Sequence, residues 1–93
     1  MSKKILTLHP EGKKGVNISK EKYDLIKGYI IESLHKNSIM TYQELNKKAI
    51  KDLTPTFDGK VGWYLVTVKL DLEARGVIKR VPKTSPHKIE LTI

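Results

Sequence analysis

The stretch VGWYLVTVKLDLEARG, residues 61 to 76, constrains the fold more than any other part of the chain. Its β-branched content suits a strand, in which Tyr64, Val66, Val68 and Leu70 would share a face. As a helix, Val61, Leu65, Val68 and Leu72 form a stripe at i, i+4, i+7 and i+11, and Gly76 stands where a helix ends. Length favours the helix, because roughly fifteen residues without a turn signal are long for a strand in a small domain. Set at about 100° per residue, Val61, Tyr64, Leu65, Val68 and Leu72 line one side, while Trp63, Val66, Leu70 and Ala74 gather on the other. A helix with two apolar faces has to be covered on both.

The rest of the chain supplies the neighbours. Ser19 is placed to cap a helix that Glu21 favours electrostatically and Ile18 staples onto Tyr23. The apolar set Tyr23, Ile26, Ile30 and Leu34 carries that helix to about Lys36. Asn37 and Ser38 break it, and Ile39-Met40 is long enough only for a strand stub. Thr41-Tyr42-Gln43-Glu44 is a capping box, with Met40 and Leu45 as its staple. It predicts a second helix from Tyr42 to about Leu53 that buries Leu45, Ala49 and Leu53. TPTFDGK then breaks the chain, with Asp58 as a candidate cap for the third helix. Val77–Val81 and Ile89–Ile93 read as a hairpin around the loop PKTSP, with Ile89, Leu91 and Ile93 on the buried face.

Ninety-three residues with 39% hydrophobic content suit one domain and one modest core. The absence of cysteine excludes a disulfide framework and a thiolate zinc site and fits a cytoplasmic location. The opening MSKKILTLHPEG has too short an apolar run for a signal peptide, and no later segment is expected to span a membrane. The net charge of +8 is concentrated at the ends: residues 1 to 22 hold six lysines against two acids, and residues 77 to 93 hold four basic residues against one acid. Such ends either flank a polyanion or keep the protein soluble.

Helix, strand stub, capped helix, loop, helix, glycine and hairpin is the order of a winged helix-turn-helix domain. LEARGVIKRVP resembles the end of such a domain's third helix running into the first wing strand. Over residues 19–93 the resemblance implies an α+β fold of three helices plus a C-terminal β-hairpin wing. Residues 1–18 would then form a basic N-terminal extension able to add a strand or to cover the third helix. The whole chain also resembles a family of small uncharacterised bacterial proteins, through LHPEGKKGVNISKEKYD, FDGKVGWY and KLDLEARG; that likeness transfers no activity.

Winged-helix domains usually bind duplex DNA, with the third helix in the major groove and the wing on the backbone or minor groove, although some are protein-interaction modules. A reading helix needs exposed donors and acceptors. Here the helix offers only Lys60, Thr67 and Lys69, with Asp71 tending to repel phosphates. Lysines offer more: Lys13 and Lys14 on the extension, Lys47 on the second helix, and Lys83 and Lys88 on the wing. The expected function is salt-sensitive DNA binding with little sequence discrimination, in keeping with a transcription-regulatory role. The alternative is a protein-interaction or dimerisation module, with Trp63, Val66 and Leu70 contacting a partner or a second copy. The first helix and the segment KILTLHPEGKKGVNI could instead cover that face internally.

No catalytic constellation is expected. His9, His35 and His87 lack a second ligand at metal spacing. EGKKG follows no strand into a GK[ST] sequence, so it is not a P-loop. Asp71 and Glu73 fall on different sides of a helix. A non-enzyme with no cofactor, no metal and no small-molecule substrate is the expectation.

Overall fold

The computed structural model describes residues 3–83 and 85–92. In chain order its elements are β1 (Lys4–Leu6), β2 (Asn17–Ser19), α1 (Lys20–Asn37), β3 (Ile39–Thr41), α2 (Tyr42–Leu53), α3 (Val61–Ala74), β4 (Ile78–Val81) and β5 (Lys88–Leu91). The protein is α+β, with three helices and two small sheets, compatible with a winged-helix-like arrangement. Among the described residues no helix is long and apolar enough to cross a membrane.

The helix boundaries follow local chemistry. The Ser19 hydroxyl accepts from the Lys22 amide at 3.5 Å to start α1, and Ser38, at a φ of 64°, ends it by donating its amide to the Leu34 carbonyl. Both arms of the capping box at the start of α2 are made, Glu44 amide to Thr41 hydroxyl and Thr41 amide to Glu44 carboxylate, each at 3.0 Å. Asp58, expected to cap α3, does not. Lys60 occupies that position and no side chain caps the helix. Gly76 leaves α3 at a φ of 77° and leads directly into β4.

The stripe Val61, Leu65, Val68 and Leu72 is buried, as the helical reading of residues 61 to 76 requires. It packs with Tyr23, Ile26, Ile30 and Leu34 of α1, Leu45 and Ala49 of α2, and Ile18, Met40, Ile78 and Ile89 from the strands. Each fully buried Leu or Ile here contributes about 1.5–3 kcal/mol relative to an exposed one. Leu53, expected to be buried, is half-buried at the edge of this core.

The C-terminal sheet has the order β3-β5-β4, all antiparallel, with Met40 opposite Ile89 and Arg80 opposite Ile89. The stub at Ile39–Met40 is therefore one edge of the C-terminal sheet. Thr84 of the expected loop and Ile93 of the expected strand lie outside the described residues. The N-terminal segment forms a hairpin of its own. Ile5 pairs with Ile18, and beyond the ladder Thr7 donates its amide to the Val16 carbonyl at 2.9 Å.

Candidate nucleic-acid interface

The composition fixes the positive surplus, and the structure decides which cations are left without an acidic neighbour. Of the acidic side chains, Glu11, Asp24, Glu32, Asp52, Asp71, Glu73 and Glu90 are each within ion-pairing distance of a Lys or Arg. Glu44 is held by its capping box, which pulls its carboxyl below the usual range. Among the described residues Lys3, Lys4, Lys14, Lys47, Lys51, Lys60, Arg80 and Lys83 form no ion pair. All eight are exposed.

The expected contact residues fall into two groups. Lys14, Lys47, Lys60 and Lys83 stand in solvent on the N-terminal loop, α2, the start of α3 and the wing loop. Lys13 is exposed too, in a 3.1 Å pair with an equally exposed Glu11, which water and salt weaken. Lys88 is exposed on β5, opposite Thr41, and near enough to help lower the Glu44 carboxyl. Thr67 is half-buried.

Lys69 requires correction. Only 6% of it is exposed, its ammonium lies 2.8 Å from Glu73, and it sits 5.3 Å from the centre of the Tyr42 ring. The helical wheel places Lys69 off the core stripe, but α2 and the wing close over that flank of α3. Asp71 is corrected for the complementary reason. It is fully buried, so it presents no charge to a phosphate. The Tyr23 hydroxyl and the Leu8 amide both donate to its carboxylate, the latter at 2.8 Å, and Arg75 Nε lies 2.9 Å away. A signal for this existed in the sequence: Asp71 lies between two leucines with Arg75 four residues on.

The second apolar face of α3 is partly covered from within. The loop after β1 runs beside it, so that Leu8 and Val16 line a cleft with Trp63 and Leu70. Val66 and Leu70 are half-buried, and Trp63 remains 46% exposed. Gly62 brings α3 against Asn46 and Ile50 of α2, so exposed Ile50 flanks the turn that carries Trp63.

Where the start of α2 meets the residue before β5, the Tyr42 amide donates to the His87 carbonyl at 3.3 Å, and the two rings stack at 5.9 Å. His87 Nε2 is buried without a hydrogen-bond partner. Burial, then the charges of Lys69 and Arg80, push its pKa below the ordinary histidine value. No group of three His, Cys, Asp or Glu that could hold a metal ion occurs among the described residues.

The model of a family of unknown function matches residues 4–89. No curated protein and no solved structure matches the chain.

Proposed function

The chain belongs to this family, DUF6958, and from its own residues we propose that it is a winged-helix protein that binds duplex DNA through phosphate contacts, with little sequence discrimination by a single copy. One observation carries the reading. Seven acids lie in ion pairs and Glu44 in a cap, which leaves Glu21 and Asp58 against a set of exposed lysines, on the N-terminal loop, α2, the start of α3 and the loop after β4, that form no ion pair among the described residues. α3 begins without a side-chain cap and without an acid in its first turn, which leaves Lys60 and the first amides suited to a phosphate. With Lys69 buried, Lys60 and Thr67 are the polar groups left near a groove, so affinity would come from the backbone rather than from bases.

The test is fluorescence anisotropy on duplexes of unrelated sequence across a salt series. About five phosphate contacts give a slope of log K on log salt near −4 to −5. A Lys47→Glu, Lys60→Glu, Lys83→Glu variant should lose binding on every duplex. Equal binding by the variant, or none by the wild type at low salt, overturns the proposal.

A second reading rests on Trp63, exposed on α3, and on Ile50 of α2, exposed beside Gly62. Under it the same fold is a dimerisation or protein-interaction module and the lysines serve solubility. Light scattering across a concentration series separates the two, because a concentration-independent monomer removes the self-association form.

A further inference from the structure

The cleft between the N-terminal loop and α3 has an apolar wall that the DNA reading does not use, although Lys14 and Thr67 belong to both. It is open to solvent on one side and has a volume of about 170 Å³. Its apolar wall is made by Leu8, Val16, Trp63 and Leu70, the last from the helix face that the sequence left uncovered. An apolar cavity of about 150 Å³ is enough to hold one benzene ring.

The side chains of the lining offer donors and no anionic acceptor, the Thr67 hydroxyl being able to accept as well. Lys14, exposed at the rim, forms no ion pair among the described residues. His9 accepts the Glu11 amide on Nδ1 at 3.1 Å, which leaves Nε2 as the protonated donor of the neutral ring. The Thr67 hydroxyl and the Trp63 indole N–H have no hydrogen-bond partner among the described residues. Thr7 is different: its hydroxyl donates to the Val16 carbonyl and accepts the Val16 amide, so it builds the wall. No carboxylate lines the cleft.

The wall is built rather than draped. Gly15 approaches Thr7 so closely that a Cβ there would fall 1.7 Å from the Thr7 carbonyl oxygen. The Leu8 amide is anchored on Asp71 of α3. The loop wall of the cleft is thus tied to the core twice, by the β1–β2 hairpin and by a buried carboxylate of α3.

We propose that this cleft binds a small apolar carboxylic acid, with the ring or alkyl part against Trp63 and Leu70 and the carboxylate on Lys14, assisted by His9 or Thr67. An apolar pocket with a few convergent polar groups is the usual form of a small-ligand site, and here those groups select an anion. The proposal shares Lys14 and Thr67 with the DNA reading, and it is tested without nucleic acid.

The probes are benzoate and its neutral counterpart benzamide, titrated into the ¹⁵N-labelled full chain at pH 7. Benzoate should shift the amides of Gly15, Val16, Thr67 and Leu70 and the Trp63 indole N–H, saturating with a Kd below about 1 mM. Benzamide should bind about tenfold more weakly, because a hydrogen bond to a charged group exceeds a neutral one by that order. Lys14→Gln, at an exposed position, should remove the preference for benzoate and leave benzamide unchanged. Absence of saturation by about 10 mM, or shifts spread over the lysines of α2 and the wing, overturns the proposal. So does equal affinity for acid and amide.

Discussion

Asp71 of α3 accepts a hydrogen bond from the hydroxyl of Tyr23 of α1, and the same carboxylate takes the Leu8 amide of the N-terminal loop. One side chain therefore joins the first helix, the third helix and the N-terminal segment. Burial, together with this carboxylate, pushes the Tyr23 hydroxyl up to about 12, so it remains a donor throughout the physiological range. Asp71→Ala leaves Tyr23, Arg75 and the Leu8 amide without their acceptor, and should cost about 3 kcal/mol in urea unfolding. It should also speed tryptic cleavage after Lys13 and Lys14. A loss below about 1 kcal/mol with unchanged cleavage would show that water replaces the carboxylate freely.

Gly15→Ala should be destabilising although the residue lies in a loop. Its Cβ would meet the Thr7 carbonyl oxygen and carbon at 1.7 and 2.6 Å, both backbone atoms that cannot rotate away. A cost of about 1–3 kcal/mol is expected, with a change in the emission of Trp63, which lines the same cleft. Gly28→Ala is the control. Nothing lies within 4 Å of that Cβ, and Gly28 sits in the interior of α1, so alanine should stabilise by about 0.5–1 kcal/mol.

Lys69 and Glu73 should matter to stability and not to DNA. Both side chains are buried. Lys69→Ala strands the Glu73 carboxylate and should cost about 3–5 kcal/mol, whereas Lys69→Met with Glu73→Leu should be near neutral or stabilising. The double variant, if folded, should keep wild-type DNA affinity within about twofold, in contrast with reversal of exposed Lys47 or Lys60. Thermal unfolding and anisotropy on the same samples check both halves.

His87 sets the expected pH dependence between neutral and mildly acid conditions. In the unfolded chain it takes up a proton near pH 6.5. In the fold, burial and the neighbouring charges of Lys69 and Arg80 resist the proton, opposed only in part by Glu73. As pH falls below that value the unfolded state holds more protons than the native state, so stability falls with pH. The lowered carboxyls of Glu44 and Asp52 act in the same direction at lower pH. His87→Phe keeps a ring on Tyr42 and removes the titration, so its Tm should change less between pH 7 and pH 5 than that of the wild type. Identical slopes would assign the effect elsewhere.

The helices were legible because their signals are local. Ser19, Thr41 with Glu44, and Gly76 each act within four residues, and the stripes of α1 and α3 follow from a 3.6-residue period. Asp58 failed as a cap and Leu53 is only half-buried; the two misread charged residues, Lys69 and Asp71, lie on the flanks of α3, and their burial is decided by segments distant in sequence. Asp71 is covered by Leu8, 63 residues away, and Lys69 packs on Tyr42. A helical wheel treats the helix as an isolated cylinder and has no information about either neighbour. The pairing of Lys4–Leu6 with Asn17–Ser19 was hidden for a related reason: three-residue strands are too short to show alternation. Among the DNA-contact candidates, exposure was legible for the lysines in loops and on α2 and failed where a neighbour closed over the helix.

Ser19 is at once the last residue of β2, paired with Lys4, and the residue whose hydroxyl caps α1. No linker separates the N-terminal hairpin from the helix, so mechanically the two are a single lever. Leu8 lies two residues beyond β1 and Tyr23 one turn into α1, and both donate to Asp71, so the two ends of this unit meet on a single carboxylate of α3.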